Sequence, residues 1–386
     1  MIPAIARLAE RLRSGTKASR ALRAVSFYAA GRPVWTPRDY AALAREGFQK
    51  NAVVHRAVRL VAEAAAALPL TLLEGGRAAG EHPLLGLLAR PNPREGGQRF
   101  LESLYGHLLV SGNAYVEAAL LDGVPRELYA LRPDRMRVVP GPDGWPAAYD
   151  YAVGAETVRF AAAGEGLAPI LHLTLFHPTD DHYGLSPMEA AAAALDIHNA
   201  AGAWNKALLD NAARPSGALV AAGDALTGAQ FDRLKEELEL SYQGTRNAGR
   251  PLLLEGGLDW KPLSLSPKDM DFVEARAAAA REIALAFGVP PLLLGLPGDN
   301  THANYAEANR AFYRQTVIPL VRRTAEALAH WLSPAWGASV TLEPDLDAVE
   351  ALSGERESLW RRVTAADFLT AEEKRAAVGY GREQGR

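Results

Sequence analysis

The densest set of side chains able to do chemistry lies in one short stretch: His172, His177, Asp180, Asp181 and His182. Imidazole and carboxylate suit zinc or manganese, so a metal-dependent hydrolase built on His172, His177, Asp181 and His182 is one reading. Spacing stands against a metal. His172 and His177 straddle the end of an expected strand, where side chains five positions apart face opposite ways. The set also lacks a closed group of ligands, and Asp180 and Asp181 read equally as a turn ahead of a helix opened by Ser186. Other catalytic patterns are missing. Neither Gly-Lys-Ser nor Gly-Lys-Thr occurs, so there is no phosphate loop. Gly184-Leu185-Ser186-Pro187-Met188 lacks the second glycine of a nucleophile elbow, which leaves Ser186 as a helix cap. Glu236, Glu237 and Glu239 alternate with Arg233 and Lys235 as on a solvated helix face, not as a pair of acid–base carboxylates. No cofactor pattern emerges, and a catalytic set is not expected.

The elements around these residues alternate between helix and strand. Residues 1–24 form a basic arm with Arg7, Arg11, Arg13, Lys17, Arg20 and Arg23 against Glu10. The periodicity of Asn51–Ala67 predicts an amphipathic helix, followed by a strand over Pro69–Glu74 that Gly75-Gly76 closes. A short helix from His82 ends at Arg90-Pro91-Asn92-Pro93, and Gln98–Val110 is helical again. Strands are predicted at Ala114–Leu121, Glu127–Leu131, Met136–Val139, Ala147–Val153, Thr157–Phe160 and Ile170–Phe176. This is an α+β arrangement of helices followed by a mostly antiparallel sheet.

The second half has a different organisation. Ser186-Pro187 opens an alanine-rich helix to Ala213, and Ser266-Pro267 opens another, Lys268–Phe287, with acids early and Arg281 late as the helix dipole favours. Between them lies a small module: a strand at Ala218–Ala221, a helix over Thr227–Tyr242, and strands at Arg250–Leu254 and Trp260–Leu265. Gly288 and Pro290-Pro291 stop the second helix. A Gly- and Pro-rich connector then presents Asp299, Asn300, Thr301 and His302 at its tip. A long helix over Asn304–Trp331 follows, with a kink expected at Pro319. Beyond Ser333-Pro334 come a strand at Ala338–Glu343 and helices at Leu346–Val363 and Thr370–Val378.

Composition sets outer limits. The 386 residues are 48% apolar and 23% charged, ordinary for a globular protein of two or three domains. A net charge of −3 argues against a surface that clamps nucleic acid throughout. The absence of cysteine excludes disulfides, thiol catalysis and Cys-based zinc sites. No apolar run is long enough for a membrane span, and no signal peptide is read at the N-terminus.

Several motifs, in this order, resemble the portal protein family of long-tailed double-stranded DNA phages and gene transfer agents. They are Phe176-His177-Pro178, Gly184-Leu185-Ser186-Pro187, Asn211-Ala212-Ala213-Arg214-Pro215-Ser216-Gly217, Val289-Pro290-Pro291 with Leu294-Gly295, and Asn304-Tyr305-Ala306-Glu307-Ala308. The likeness runs from Ala52 to about Glu343, and the short chain is similar to the gene-transfer-agent members. The resemblance implies a ring, usually of twelve subunits, at one capsid vertex. It implies a wing (25–186), stem helices (187–213 and 267–288), a clip (214–266), a channel loop (289–303), a wing spine helix (304–335) and a C-terminal crown (336–386). Duplex DNA would pass the loop residues Asp299, Asn300, Thr301 and His302. The clip residues Arg233, Glu236, Glu237 and Glu239 would meet a packaging terminase and later a head–tail connector, with the major capsid protein around the ring. Such a particle would be assembled in the host cytoplasm, without a membrane partner and without an enzymatic role for this chain.

Overall fold

A computed structural model describes residues 35–163, 166–210, 217–221, 258–262, 272–297, 302–337 and 339–380, with residues 229, 232, 233 and 236. The basic arm 1–24 and the strand expected at Arg250–Leu254 lie outside them. The chain divides into two compact units, Met1–Trp35 with Ala200–Val273, and Thr36–Asn199 with Glu274–Arg386.

The larger unit opens with α1 (Tyr40–Leu43), capped by Asp39, and a π-helical turn at Ala44–Gln49. Asn51 then caps α2 (Ala52–Ala66), its side chain accepting from the amides of Val53 and Val54. Val54, Ala57, Val58, Val61, Ala62 and Ala65 recur every three or four residues and are all buried, as an amphipathic helix requires. β1 (Leu70–Glu74) turns through Gly75 and Gly76, both with positive φ, into β2 (Arg77–Ala78). α3 (Pro83–Ala89) is capped by the His82 ring, and α4 (Gly97–Ser111) ends on left-handed Gly112.

Six strands follow: β3 (Asn113–Leu121), β4 (Val124–Leu131), β5 (Met136–Pro140), β6 (Pro146–Val153), β7 (Glu156–Ala161) and β8 (Ile170–Thr174). They form two antiparallel sheets in the orders β4-β3-β8 and β5-β6-β7. A small second core of Tyr115, Leu131, Met136, Val138, Tyr149 and Ile170 joins them.

The expected helix from Ser186 to Ala213 is interrupted. Ser186 caps α5 (Pro187–Ala190), the chain leaves helical geometry at Ala191, and α6 (Ala192–Asp210) continues. In the smaller unit β9 (Gly217–Ala221) pairs antiparallel with β10 (Leu258–Pro262). The described part of the next helix is α7 (Phe272–Ala286).

The long helix expected over Asn304–Trp331 is three joined segments: α8 (His302–Phe312), a π-helical turn at Tyr313–Val317, and α9 (Ile318–Leu332). The predicted kink site is therefore a register change. Pro319 has no amide hydrogen and its ring crowds the carbonyl four residues back, and the wider π-turn just upstream makes room for it. α9 buries Ile318, Val321, Thr324, Ala325, Leu328 and Leu332, and Trp331 Nε1 donates to Ala168 O at 2.7 Å.

β11 (Val340–Pro344) returns to the start of the unit and pairs antiparallel with β1, placing Leu342 opposite Leu72 in the main core. The helix expected from Leu346 begins as two 3₁₀ turns, because the Asp345 side chain accepts from Asp347 N and Val349 stays extended and buried. α10 (Ser353–Thr364) and α11 (Ala371–Val378) complete the described residues, the latter with a reciprocal Thr370–Glu373 capping box. Among the described residues no helix is long and apolar enough to cross a membrane.

Candidate channel and docking elements

The histidine–aspartate stretch is a folded seam rather than a metal centre. His172, inside β8, stacks on Tyr115 with ring centroids 4.2 Å apart and meets Tyr149 edge-on at 5.8 Å. Its Nε2 lies 3.1 Å from Asn113 Oδ1, which also accepts from Gly184 N at 2.9 Å. Because Asn113 Nδ2 donates to Ser111 O at 2.8 Å, the amide orientation is fixed, and His172 Nε2 must carry the proton. Burial, reinforced by the nearby His182, holds the His172 ring neutral with a pKa lowered to about 4.

The other residues of the set turn elsewhere. His177 Nδ1 accepts from Thr179 N at 3.2 Å in an exposed loop. Asp180 Oδ1 accepts from the amides of His182 (2.8 Å) and Tyr183 (2.9 Å), and those bonds hold its carboxyl below the usual range. Asp181 is exposed. Among the described residues no three His, Cys, Asp or Glu side chains come together to hold a metal ion. The hydrolase reading of His172, His177, Asp181 and His182 is thus corrected: His172 is engaged by Asn113 and Tyr115, and although His182 lies near it, His177 and Asp181 do not join them in a ligand set.

The seam explains the Gly184-Leu185-Ser186-Pro187 motif. A Cβ on Gly184 would lie 2.1 Å from Gly112 O, and one on Gly112 would lie 2.3 Å from Gly184 O. Two backbones touch there, so only glycine fits. Ser186 Oγ donates to Leu109 O at 2.9 Å while accepting from Met188 N at 3.0 Å, locking α5 to α4.

The two alanine-rich helices carry a polar contact as well as small buried side chains. Asn51 Nδ2 donates to His198 Nδ1 at 3.0 Å and to Asn199 Oδ1 at 2.9 Å, and Arg276 Nε lies 3.4 Å from His198 Nε2. Ala194, Leu195, Ala279, Ala280 and Ile283 are buried.

The connector between α7 and α8 is anchored at its base. Gly288 has φ +64 and its carbonyl accepts from Thr316 Oγ1 at 2.6 Å. Pro291–Leu294 forms a 3₁₀ turn ended by left-handed Gly295, and Arg281 Nη2 donates to Pro297 O at 2.9 Å. On the far side, Arg310 pairs with Glu307 at 2.7 Å and Arg314 with Glu355 of α10 at 3.3 Å. Of the predicted tip, His302 begins α8, whereas Asp299, Asn300 and Thr301 lie outside the described residues. Of the predicted docking residues, Arg233 and Glu236 are helical and exposed, while Glu237 and Glu239 lie outside the described residues. Arg281 and Thr316 were not singled out as anchors, since a contact to a carbonyl 16 or 28 positions away leaves no local pattern.

Residues 52–379 match the family model described as phage portal protein. A chain in the neck of an empty gene transfer agent particle, computed with C6 symmetry, is 58% identical with a TM-score of 0.71, covering 91% of this chain and 96% of that one. The corresponding chain in the neck of the native particle, computed with C12 symmetry, has the same identity and coverage and a TM-score of 0.68. The portal protein of Enterobacteria phage HK97 is 27% identical over 295 residues, 73% of this chain and 67% of its own length.

Proposed function

Because this chain belongs to the phage portal protein family, we propose that it forms a closed ring, of twelve copies, at one vertex of a gene transfer agent or phage-like capsid, through which double-stranded DNA is packaged and released. The observation that carries this reading is the likeness to a chain in the neck of the native gene transfer agent particle, a neck computed with C12 symmetry. In this assignment residues 25–186 are the wing, 187–213 and 267–288 the stem, and 214–266 the clip. Residues 289–303 are the channel loop, 304–335 the spine and 336–386 the crown. Its role is structural rather than catalytic, in a particle assembled in the host cytoplasm. The clip residues Arg233, Glu236, Glu237 and Glu239 meet the packaging terminase and then the head–tail connector, and the ring sits against the major capsid protein.

The loop residues Asp299, Asn300, Thr301 and His302 face DNA sliding along the axis. A conduit must hold its duplex loosely, and many fixed phosphate contacts would arrest it. Neutral donors can reach phosphates through water while Asp299 discourages lasting adhesion. The base contacts Arg281–Pro297 and Thr316–Gly288 support this by fixing the chain that leads into a short polar tip. The test is Asp299→Arg with Asn300→Arg. Duplex binding by the isolated ring is expected to rise and to fall steeply with salt, and packaging to slow or stall. Unchanged DNA binding and unchanged packaging would remove the loop from the channel wall.

A further inference from the structure

α10 and α11 form a helical hairpin whose turn spans residues 365–370. None of the 12 residues of α10 is buried, and of α11 only Val378 is. A helix this short is marginal in water without a packed face. What ties the hairpin to the rest of its unit is polar. Arg356 pairs with Asp347, the Tyr380 hydroxyl donates to Asp347 Oδ2 at 2.8 Å, and Glu355 pairs with Arg314 at 3.3 Å, while Arg356 Nη2 joins the two helices to each other through Val378 O at 2.7 Å.

The hairpin carries two apolar features that fit one another. Phe368, in the turn, is 86% exposed. Between the helices a groove of about 230 Å³ is lined by Trp360, Val363, Val378 and Tyr380, with Thr364, Lys374 and Arg375 at its polar edge. A cavity of about 150 Å³ suffices to take a benzene ring. Charge points to the occupant. Glu355, Glu357, Asp367, Glu372 and Glu373 are matched by Arg356, Arg361, Arg362, Lys374 and Arg375. A surface without net charge has little to offer a polyphosphate and raises no like-charge barrier against a second copy of itself.

We propose that Phe368 of one copy enters the Trp360–Tyr380 groove of the next. The inference rests on the ring reading. Knob and groove are different surfaces of one module, as head-to-tail closure requires, whereas a two-fold dimer would bring identical patches together. α10 and α11 then gain between subunits the packed face they lack within one.

The absence of cysteine permits a direct test. Asp367→Cys chains are mixed with Thr364→Cys chains, assembled and mildly oxidised, with each variant alone as control. A cross-linked dimer is expected in the mixture, well above either control on a non-reducing gel, and adding Phe368→Ser to the Asp367→Cys chain should reduce it to the control level. Phe368→Ser alone should raise the concentration for half-assembly by about tenfold, the loss of one well-packed anchor per interface. Mass photometry on the same samples separates the two ideas. No rings from the unmodified chain would sink the ring reading itself, whereas rings without the mixed cross-link would overturn the Phe368 contact alone. Normal rings from Phe368→Ser that fail to enter particles would assign the groove to another protein, and would also overturn it.

Discussion

The seam where Gly112 meets Gly184 and the hairpin of α10 and α11 belong to the same unit, yet they are held in opposite ways. In the seam two backbones pass within contact distance, Asn113 satisfies both His172 and Gly184, and Ser186 joins α4 to α5. Every one of those groups finds its partner inside the subunit. In the hairpin no residue of the 12-residue helix is fully buried, and the anchors are polar: Arg356 and the Tyr380 hydroxyl on Asp347, and Glu355 on Arg314. A seam of that kind specifies the subunit; a hairpin of this kind specifies what the subunit meets. Interior packing is dense and intolerant of added atoms, whereas an exposed hairpin tolerates change until a partner covers it.

The largest expected effect follows from the tight side of this contrast. Gly184→Ala places a Cβ 2.1 Å from Gly112 O and 2.6 Å from Leu175 N, neither of which is a flexible side-chain end. Backbone must move, so a loss of about 3 kcal/mol or more is expected, combining overpacking with induced strain. Urea unfolding of soluble protein, or failure to obtain any, would show it. A midpoint unchanged from the parent would mean that the seam is looser than its geometry states.

The second effect is the proton linkage of the seam. Folded His172 is held to about 4 by burial and by His182, and burial likewise brings His107 to about 4. Their ordinary pKa is about 6.5. Between those values the unfolded chain binds protons that the folded chain does not, so stability is complete above about pH 6.5 and falls as pH drops toward 4. At pH 4.5 the loss is on the order of 2 kcal/mol for each histidine. Thermal melts of the parent and of His172→Gln from pH 7 to 4.5 should diverge in slope, the variant falling less. Parallel curves would show that His172 is solvated.

How much of this was legible in the sequence depends on how far each determinant reaches. The helix starts at Asn51 and Thr370 and the Gly75-Gly76 turn are local, and the residue types announce them. The pairing of β1 with β11 is not, because Leu72 and Leu342 are joined only by the fold. Nor could spacing separate a metal set from a seam around His172: the deciding facts are its stack on Tyr115 and its bond to Asn113. Pro319 announced a disturbance, but its form as a π-turn at Tyr313–Val317 depends on which helix register buries Phe312, Val317 and Val321. For the loop, glycine and proline marked its existence, while its anchors Arg281 and Thr316 came from three-dimensional placement.

The smallest effect tests the loose side of the contrast. Arg356 is mostly covered, with 12% of its side chain accessible, and it engages Asp347 while closing the end of α11 through Val378 O. Its hydrogen bond to Asp347, aided by Tyr380, outweighs partial burial and holds that carboxyl below its usual range. Arg356→Met keeps the apolar stem and removes the charge, leaving the Val378 carbonyl and the Asp347 carboxylate without this partner. The expected cost is on the order of 1 kcal/mol, and it should stay local because no core side chain is disturbed. Hydrogen exchange of the subunit should therefore quicken over residues 353–380 and stay unchanged over α2 and α4. Uniform acceleration would show that the hairpin is part of the cooperative core, and the contrast would collapse. If exchange quickens locally in the free subunit but much less in assembled rings, the missing support comes from the next copy, as the Phe368 contact requires.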